Sequence, residues 1–193
     1  MDNWMNLIPV LVIMSGCIYL LLTDLWKHAL ISVAVIYVST FFILIQFWSF
    51  SFSMVKMLTG LMSMIILGIS YSKGDIEKKH MPRAERIFRG VALCLYYLVI
   101  VFISGRVTDY LAIPLEMVIS SLFILGYGIV QLGMTQSLLK VFLALGLIIF
   151  GFELLYSTNE ASLLINGLLA IVVLLVALVG GYIAINEVEG DAE

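Results

Sequence analysis

The stretch that decides the fold is Ala161-Ser-Leu-Leu-Ile-Asn-Gly-Leu-Leu-Ala-Ile-Val-Val-Leu-Leu-Val-Ala-Leu-Val-Gly-Gly-Tyr-Ile-Ala-Ile-Asn186. It carries no charge and exceeds the roughly 20 apolar residues that take an α-helix across the hydrocarbon core of a bilayer. Working back along the chain, similar stretches recur. Ser137 to Tyr156 reads as a sixth helix, Leu111 to Leu132 as a fifth and Gly90 to Gly105 as a fourth. Asn3 to Thr23 reads as the first. The charge-free run Ala29 to Val55 is too long for one crossing, so it includes a turn near Trp48-Ser49-Phe50-Ser51. The second helix ends there, and a third runs from about Ser51 to Tyr71. One long kinked helix is the less favoured alternative. The fold class is therefore all-α, a polytopic transmembrane bundle of about seven helices.

Composition agrees. The chain is 63% hydrophobic and 12% charged, against about 25% charged in a soluble domain. A mean hydropathy of +1.14 leaves too little polar surface to face water. Cys17 and Cys94 lie inside apolar runs and read as small apolar fillers rather than a disulfide framework. The start, Met1-Asp2-Asn3-Trp4, is acidic and lacks the positive charge of a secretory signal, so the first helix is expected to be retained.

Charge sets the topology. Residues 1–72 hold helices one to three. Residues 73–89, Lys73-Gly-Asp-Ile-Glu-Lys-Lys-His-Met-Pro-Arg-Ala-Glu-Arg-Ile-Phe-Arg89, hold six of the ten basic residues. Such an excess marks a cytoplasmic loop. Residues 90–186 hold helices four to seven, and 187–193 form an acidic tail. Counting from the loop puts the N-terminus outside and the tail inside, in what we expect to be a prokaryotic cytoplasmic membrane. The loop is expected to touch anionic lipid headgroups. Its interspersed Asp75, Glu77 and Glu85 and its lack of interleaved aromatics argue against nucleic acid. After Pro82, Ala84 to Arg89 can form a helical entry to the fourth span. Helices one to three and five to seven run in the same sense, which allows a parallel repeat separated by helix four.

Ionisable residues inside a span default to functional hypotheses. Lys56 sits a turn or more inside the outer end of helix three. An amine there can act as a switchable proton site. Otherwise its stem snorkels to the interface, or it pairs with an acid of a neighbouring subunit. Glu153, near the outer end of helix six, and Glu116, one turn into helix five after Pro114, are relay candidates or interfacial carboxylates. Lys140 lies at the inner end of helix six, where anchoring is the plain reading. It is about 20 Å along the helix from Glu153, too far to pair. Asp24 and His28 share a helix face at the first inner turn but fall short of a metal set. His80 is in the loop, so haem ligation within a span is not expected. No cofactor, metal or catalytic motif is legible. Gly126, Gly128, Gly146, Gly151, Gly180 and Gly181 read as sites of close helix approach.

One resemblance adds to this. Ser121-Leu-Phe-Ile-Leu-Gly-Tyr-Gly-Ile-Val-Gln-Leu-Gly-Met-Thr-Gln-Ser-Leu-Leu-Lys-Val-Phe-Leu-Ala-Leu-Gly-Leu-Ile-Ile-Phe-Gly151 is a helix with Leu-Gly-x-Gly, a short polar turn and a helix with a central glycine. The unit 116–185 resembles the small K-type subunit of respiratory complex I and the C-type subunit of multisubunit cation/proton antiporters. In length the chain is most similar to the longer E-type membrane subunit of formate-hydrogenlyase-like hydrogenases. The K-type family has a glutamate just after that central glycine. Here Gly146-Leu-Ile-Ile has none, Glu153 lies about two turns later, and Ile165 to Ile185 is uncharged. The resemblance thus implies an interface-forming role more than a complete carboxylate relay.

The resulting expectation is an accessory membrane subunit of a complex-I-like, hydrogenase-like or antiporter assembly. It would not be an enzyme by itself. It would pack against antiporter-like chains, with Lys56, Glu153, Glu116 and Lys140 as ion-path candidates. A self-standing small transporter and a non-transporting scaffold or assembly protein remain as alternatives.

Overall fold

The computed structural model describes residues 3–23, 25–72, 83–135, 137–159 and 163–190. They form α1 (Asn3–Leu22), α2 (Trp26–Phe47), α3 (Phe50–Ser72), α4 (Arg83–Leu111), α5 (Leu115–Met134), α6 (Leu138–Asn159) and α7 (Leu163–Gly190). No strand occurs among the described residues. Six of these helices are long and apolar enough to cross a membrane, and α1 contributes the shorter apolar run Leu7–Leu22. The chain is an all-α, polytopic transmembrane bundle. Large apolar side chains point outward as well as inward: Phe102, Leu164 and Tyr182 are among the most exposed. Lipid, not water, is the solvent that tolerates such a surface.

The breaks between helices follow local chemistry. Trp48 and Ser49 separate α2 from α3, as expected, and the Trp48 N–H still closes on the Leu44 carbonyl at 2.8 Å. Between α4 and α5, Ala112 takes a left-handed conformation with φ 54°, a common helix stop. Pro114 then precedes α5 with φ −56° and its carbonyl accepts from Met117 and Val118. That break moves the start of the fifth helix from Leu111 to Leu115.

The larger departure is α4. It begins at Arg83, so the helical entry expected over Ala84–Arg89 is present and continuous with the fourth span, and residues 83–89 are helix rather than loop. Charges mark where side chains leave hydrocarbon, not where the backbone stops being helical. Pro82 precedes it directly, as proline favours helix starts. The basic residues Lys73, Lys78 and Lys79, with Asp75, Glu77 and His80, lie outside the described residues, as do Asp24 and the end of the acidic tail, 191–193. Helix α7 continues into the tail as far as Gly190.

The helices stack as two rows of three. One row is α1–α2–α3 and the other α5–α6–α7, with α1 against α5, α2 against α6 and α3 against α7. Helix α4 lies outside the rows, packed on α5 and α1. The tightest seam joins α5 to α6. A Cβ on Gly151 would stand 2.6 Å from the Leu125 backbone nitrogen, and one on Gly128 would stand 2.9 Å from the Ala144 carbonyl. Two glycines on opposite helices thus let the backbones approach. Gly146 has no such neighbour and plays no part in it.

Ends alternate along the bundle. One end, here the Trp48 end, carries the α2–α3 and α4–α5 connections, the end of α6 and the start of α7. The opposite, Thr23 end carries the α1–α2 and α5–α6 turns.

Candidate functional site

Four helices, α2, α3, α6 and α7, enclose the site. On α3 the buried positions Ser53, Lys56, Gly60, Ser63 and Leu67 recur at helical spacing and face inward. Lys56 is six residues past the start of α3, about 9 Å in from the Trp48 end. Helix α6 ascends to that same end and supplies Glu153 beside buried Phe150 and Leu154. Helix α7 descends from it and supplies Asn166.

These three residues meet. The Lys56 Nζ forms an ion pair with Glu153 Oε1 and donates to Asn166 Oδ1 at 3.3 Å. Lys56 is 5% exposed, Glu153 3% and Asn166 3%. The Phe52 ring lies 5.6 Å from the ammonium, close enough for a cation–π contribution. Apolar and aromatic groups close the other sides. The Tyr37 ring of α2 rests on the face of α3 at Gly60, where a Cβ would come within 2.3 Å of it. That ring also packs against Phe150 at a centroid distance of 4.3 Å. Only glycine at position 60 leaves room for the ring, and the ring forms one wall of the site.

Beside the pair is a void of about 10 Å³ lined by Tyr37, Lys56, Thr59, Gly60, Phe150, Glu153, Ala170 and Val173. A single water needs about that much space, so the void does not hold an organic substrate. An ammonium, a carboxylate, an amide oxygen and room for one water can hold and exchange a proton. The same oxygens are hard ligands of the kind that suit a small cation.

The pairing corrects one expectation. Lys56 neither snorkels to the interface nor waits for a neighbouring subunit's acid; its partner lies in the same chain, 97 positions later. The remaining candidates lie elsewhere. Glu116 is the second residue of α5, half-buried at the helix start, and is not part of this cluster. Lys140 is buried at the Thr23 end, where its Nζ donates to the Thr23 carbonyl at 2.8 Å. It thereby satisfies a carbonyl just beyond the C-terminus of α1, a stapling role. His28 Nδ1 and the Tyr19 hydroxyl are 2.5 Å apart. No group of three or more potential metal-ligating side chains (His, Cys, Asp, Glu) occurs among the described residues.

Two contributors were missed in the sequence. Asn166 is a neutral amide inside the most apolar run of the chain, and Tyr37 sits in an unremarked apolar helix. The one legible signal was a polar residue interrupting the seventh helix near the same depth as Lys56 and Glu153. Neither a protein-family model, nor a curated protein, nor a solved structure matches this chain.

Proposed function

We propose that the chain is an accessory integral membrane subunit of an ion-translocating assembly, with Lys56, Glu153 and Asn166 as a site that holds and exchanges a proton or small cation. The observation that carries this reading is the Lys56–Glu153 pair, buried between four apolar helices. A bundle gains no stability from such a pair that well-packed apolar residues could not supply. Ionisable groups at this depth in a span default to function. The void beside the pair gives one water access to both charges.

The subunit part of the proposal rests on the resemblance to K-type and C-type subunits over 116–185. The outer face of α4, with Phe88, Leu95, Leu98 and Phe102 exposed, is the surface we assign to antiporter-like neighbours. The Thr23 end is taken as cytoplasmic, from the basic residues 73–89. A second reading is a self-standing transporter. It is favoured by one observation, that the pair closes within a single chain.

One experiment separates them. The tagged chain is extracted gently, its companions identified by mass, and ion movement measured for wild type, Lys56→Met and Glu153→Gln. Recovery with antiporter-like chains, and loss of ion movement in both variants, is the expected result. Recovery alone, with flux in liposomes of the isolated chain, would establish the self-standing reading. Undiminished ion movement in both variants would remove the pair from the mechanism.

A further inference from the structure

A second polar cluster lies at the opposite end, between α1, α4 and α5. Arg89 is only 4% exposed, although it sits among the charges of the 83–89 segment. Its Nη2 donates to Glu85 Oε1 at 2.5 Å and to the Met134 carbonyl at 2.9 Å. Its Nε and Nη1 have no hydrogen-bond partner among the described residues. On the neighbouring face of α5, Tyr127 and Gln131 are one turn apart and almost fully buried, at 0% and 1% exposure. The Tyr127 hydroxyl and both polar atoms of the Gln131 amide also have no hydrogen-bond partner among the described residues. Gln131 stands one turn before Met134, whose carbonyl Arg89 reaches.

Unpartnered groups of this kind are costly once buried, because burial removes the water that would otherwise bond them. Glu85 pairs with the guanidinium through Nη2 alone, and the groups still unpartnered are mostly donors: the remaining guanidinium N–H groups, an amide NH2 and a phenol. The fitting occupant is therefore an acceptor-rich anion. Arginine with amide and hydroxyl donors is a common way to hold phosphate oxygens.

The seam above this cluster is open. Farther along, α4 and α5 are filled in by Tyr96, whose ring occupies the space over Gly126 and whose hydroxyl donates to the Leu122 carbonyl. Gly133 lies two turns on, on the same face of α5 as Gly126. Gly90 lies two turns before Tyr97, whose ring packs on Phe123 of α5. At both Gly90 and Gly133 a Cβ would meet no atom within 4 Å. The seam is closed at Tyr96, and at the Arg89 end its edge is lined by these two exposed glycines. Exposed Ile87, Phe88 and Val91 flank it with apolar surface.

We propose that Arg89, Gln131 and Tyr127 form a binding site for a phosphate oxyanion, entered through the Gly90–Gly133 notch. The headgroup of an anionic phospholipid is its expected source. Basic pockets between spans at this depth suit such headgroups, and the flanking apolar residues suit an acyl chain. This site is independent of the Lys56 site and of the role proposed for it.

The test follows the unfolding temperature of the purified full chain in neutral detergent. The probes are phosphatidylglycerol, phosphatidylcholine with the same acyl chains, and inorganic phosphate. The expected result is a saturable rise with phosphatidylglycerol at a concentration at least fivefold lower than with phosphatidylcholine. The rise falls at least threefold in Gln131→Leu and in Tyr127→Phe, which remove orphaned groups without stranding a charge and so keep the fold. Equal protection by inorganic phosphate, lost in the same variants, would keep the site and assign it a soluble source. Equal responses to both lipids without a phosphate effect, or responses unaltered in the two variants, overturn the proposal and leave the cluster to water.

Discussion

The two ends of the bundle solve the same problem differently. At the Trp48 end, opposite charges from α3 and α6 meet and Asn166 accepts from the amine. The site is closed by Tyr37 and Phe150 and leaves room for about one water. At the Thr23 end, Arg89 pairs with Glu85 through part of its guanidinium, and Gln131 and Tyr127 have no hydrogen-bond partner among the described residues. The difference teaches that burial alone does not define a site. Both cations have a carboxylate partner; the difference is that Lys56 and Glu153 close on each other across two helices, whereas the Arg89–Glu85 pair lies within α4 and leaves neighbouring donors unpartnered among the described residues.

The largest test breaks the first half of that comparison. Lys56→Met leaves the Glu153 carboxylate in apolar surroundings, and the expected destabilisation is about 3–5 kcal/mol, read by thermal unfolding in detergent. Lys56→Met combined with Glu153→Leu should recover that stability while ion movement stays lost. Full recovery of both would make the pair structural and end the functional reading.

A smaller effect separates Lys140 from the pair. Removing its bond to the Thr23 carbonyl with Lys140→Met should cost about 1.5–3 kcal/mol, the range for a charged hydrogen bond, with ion movement per folded molecule unchanged. Lost ion movement in a stable variant would restore Lys140 to the path.

Gly60→Ala sharpens the comparison from the wall of the closed site. The new Cβ collides with the Tyr37 ring, and overpacking of this kind costs about 1–3 kcal/mol. Ion movement should fall as well, because the displaced ring opens the site. An unchanged variant would show that the ring moves freely and seals nothing.

The smallest expected effect has the opposite sign. With no lipid or phosphate present, Gln131→Leu should be neutral or stabilising by about 1 kcal/mol, since an unsatisfied buried amide is removed. A clear destabilisation would mean that Gln131 has a protein partner after all, and the contrast between the two ends would weaken.

The legible part of the site was depth. Lys56 and Glu153 each lie a short way inside a span from the same end, and their helix positions alone placed them level. What joined them was the packing of α6 against α7 and of α7 against α3, which no spacing along the chain encodes. Arg89 makes the same point in reverse. As one basic residue among several it read as part of a cytoplasmic loop. Helical phase and the contact of α4 with α5 turn it inward to the Met134 carbonyl.

By itself the sequence determined the class of solvent, the number of helices and most of their ends. These follow from hydrophobic run length, proline and turn residues, which act locally and so are written locally. Only the tertiary structure decided which charges neutralise one another and which polar groups are left over. In a bilayer nearly every helix face is apolar, so hydropathy does not say which face meets which neighbour. That choice is made by close packing at residues such as Gly60, Gly128 and Gly151, and it is a property of the assembled bundle.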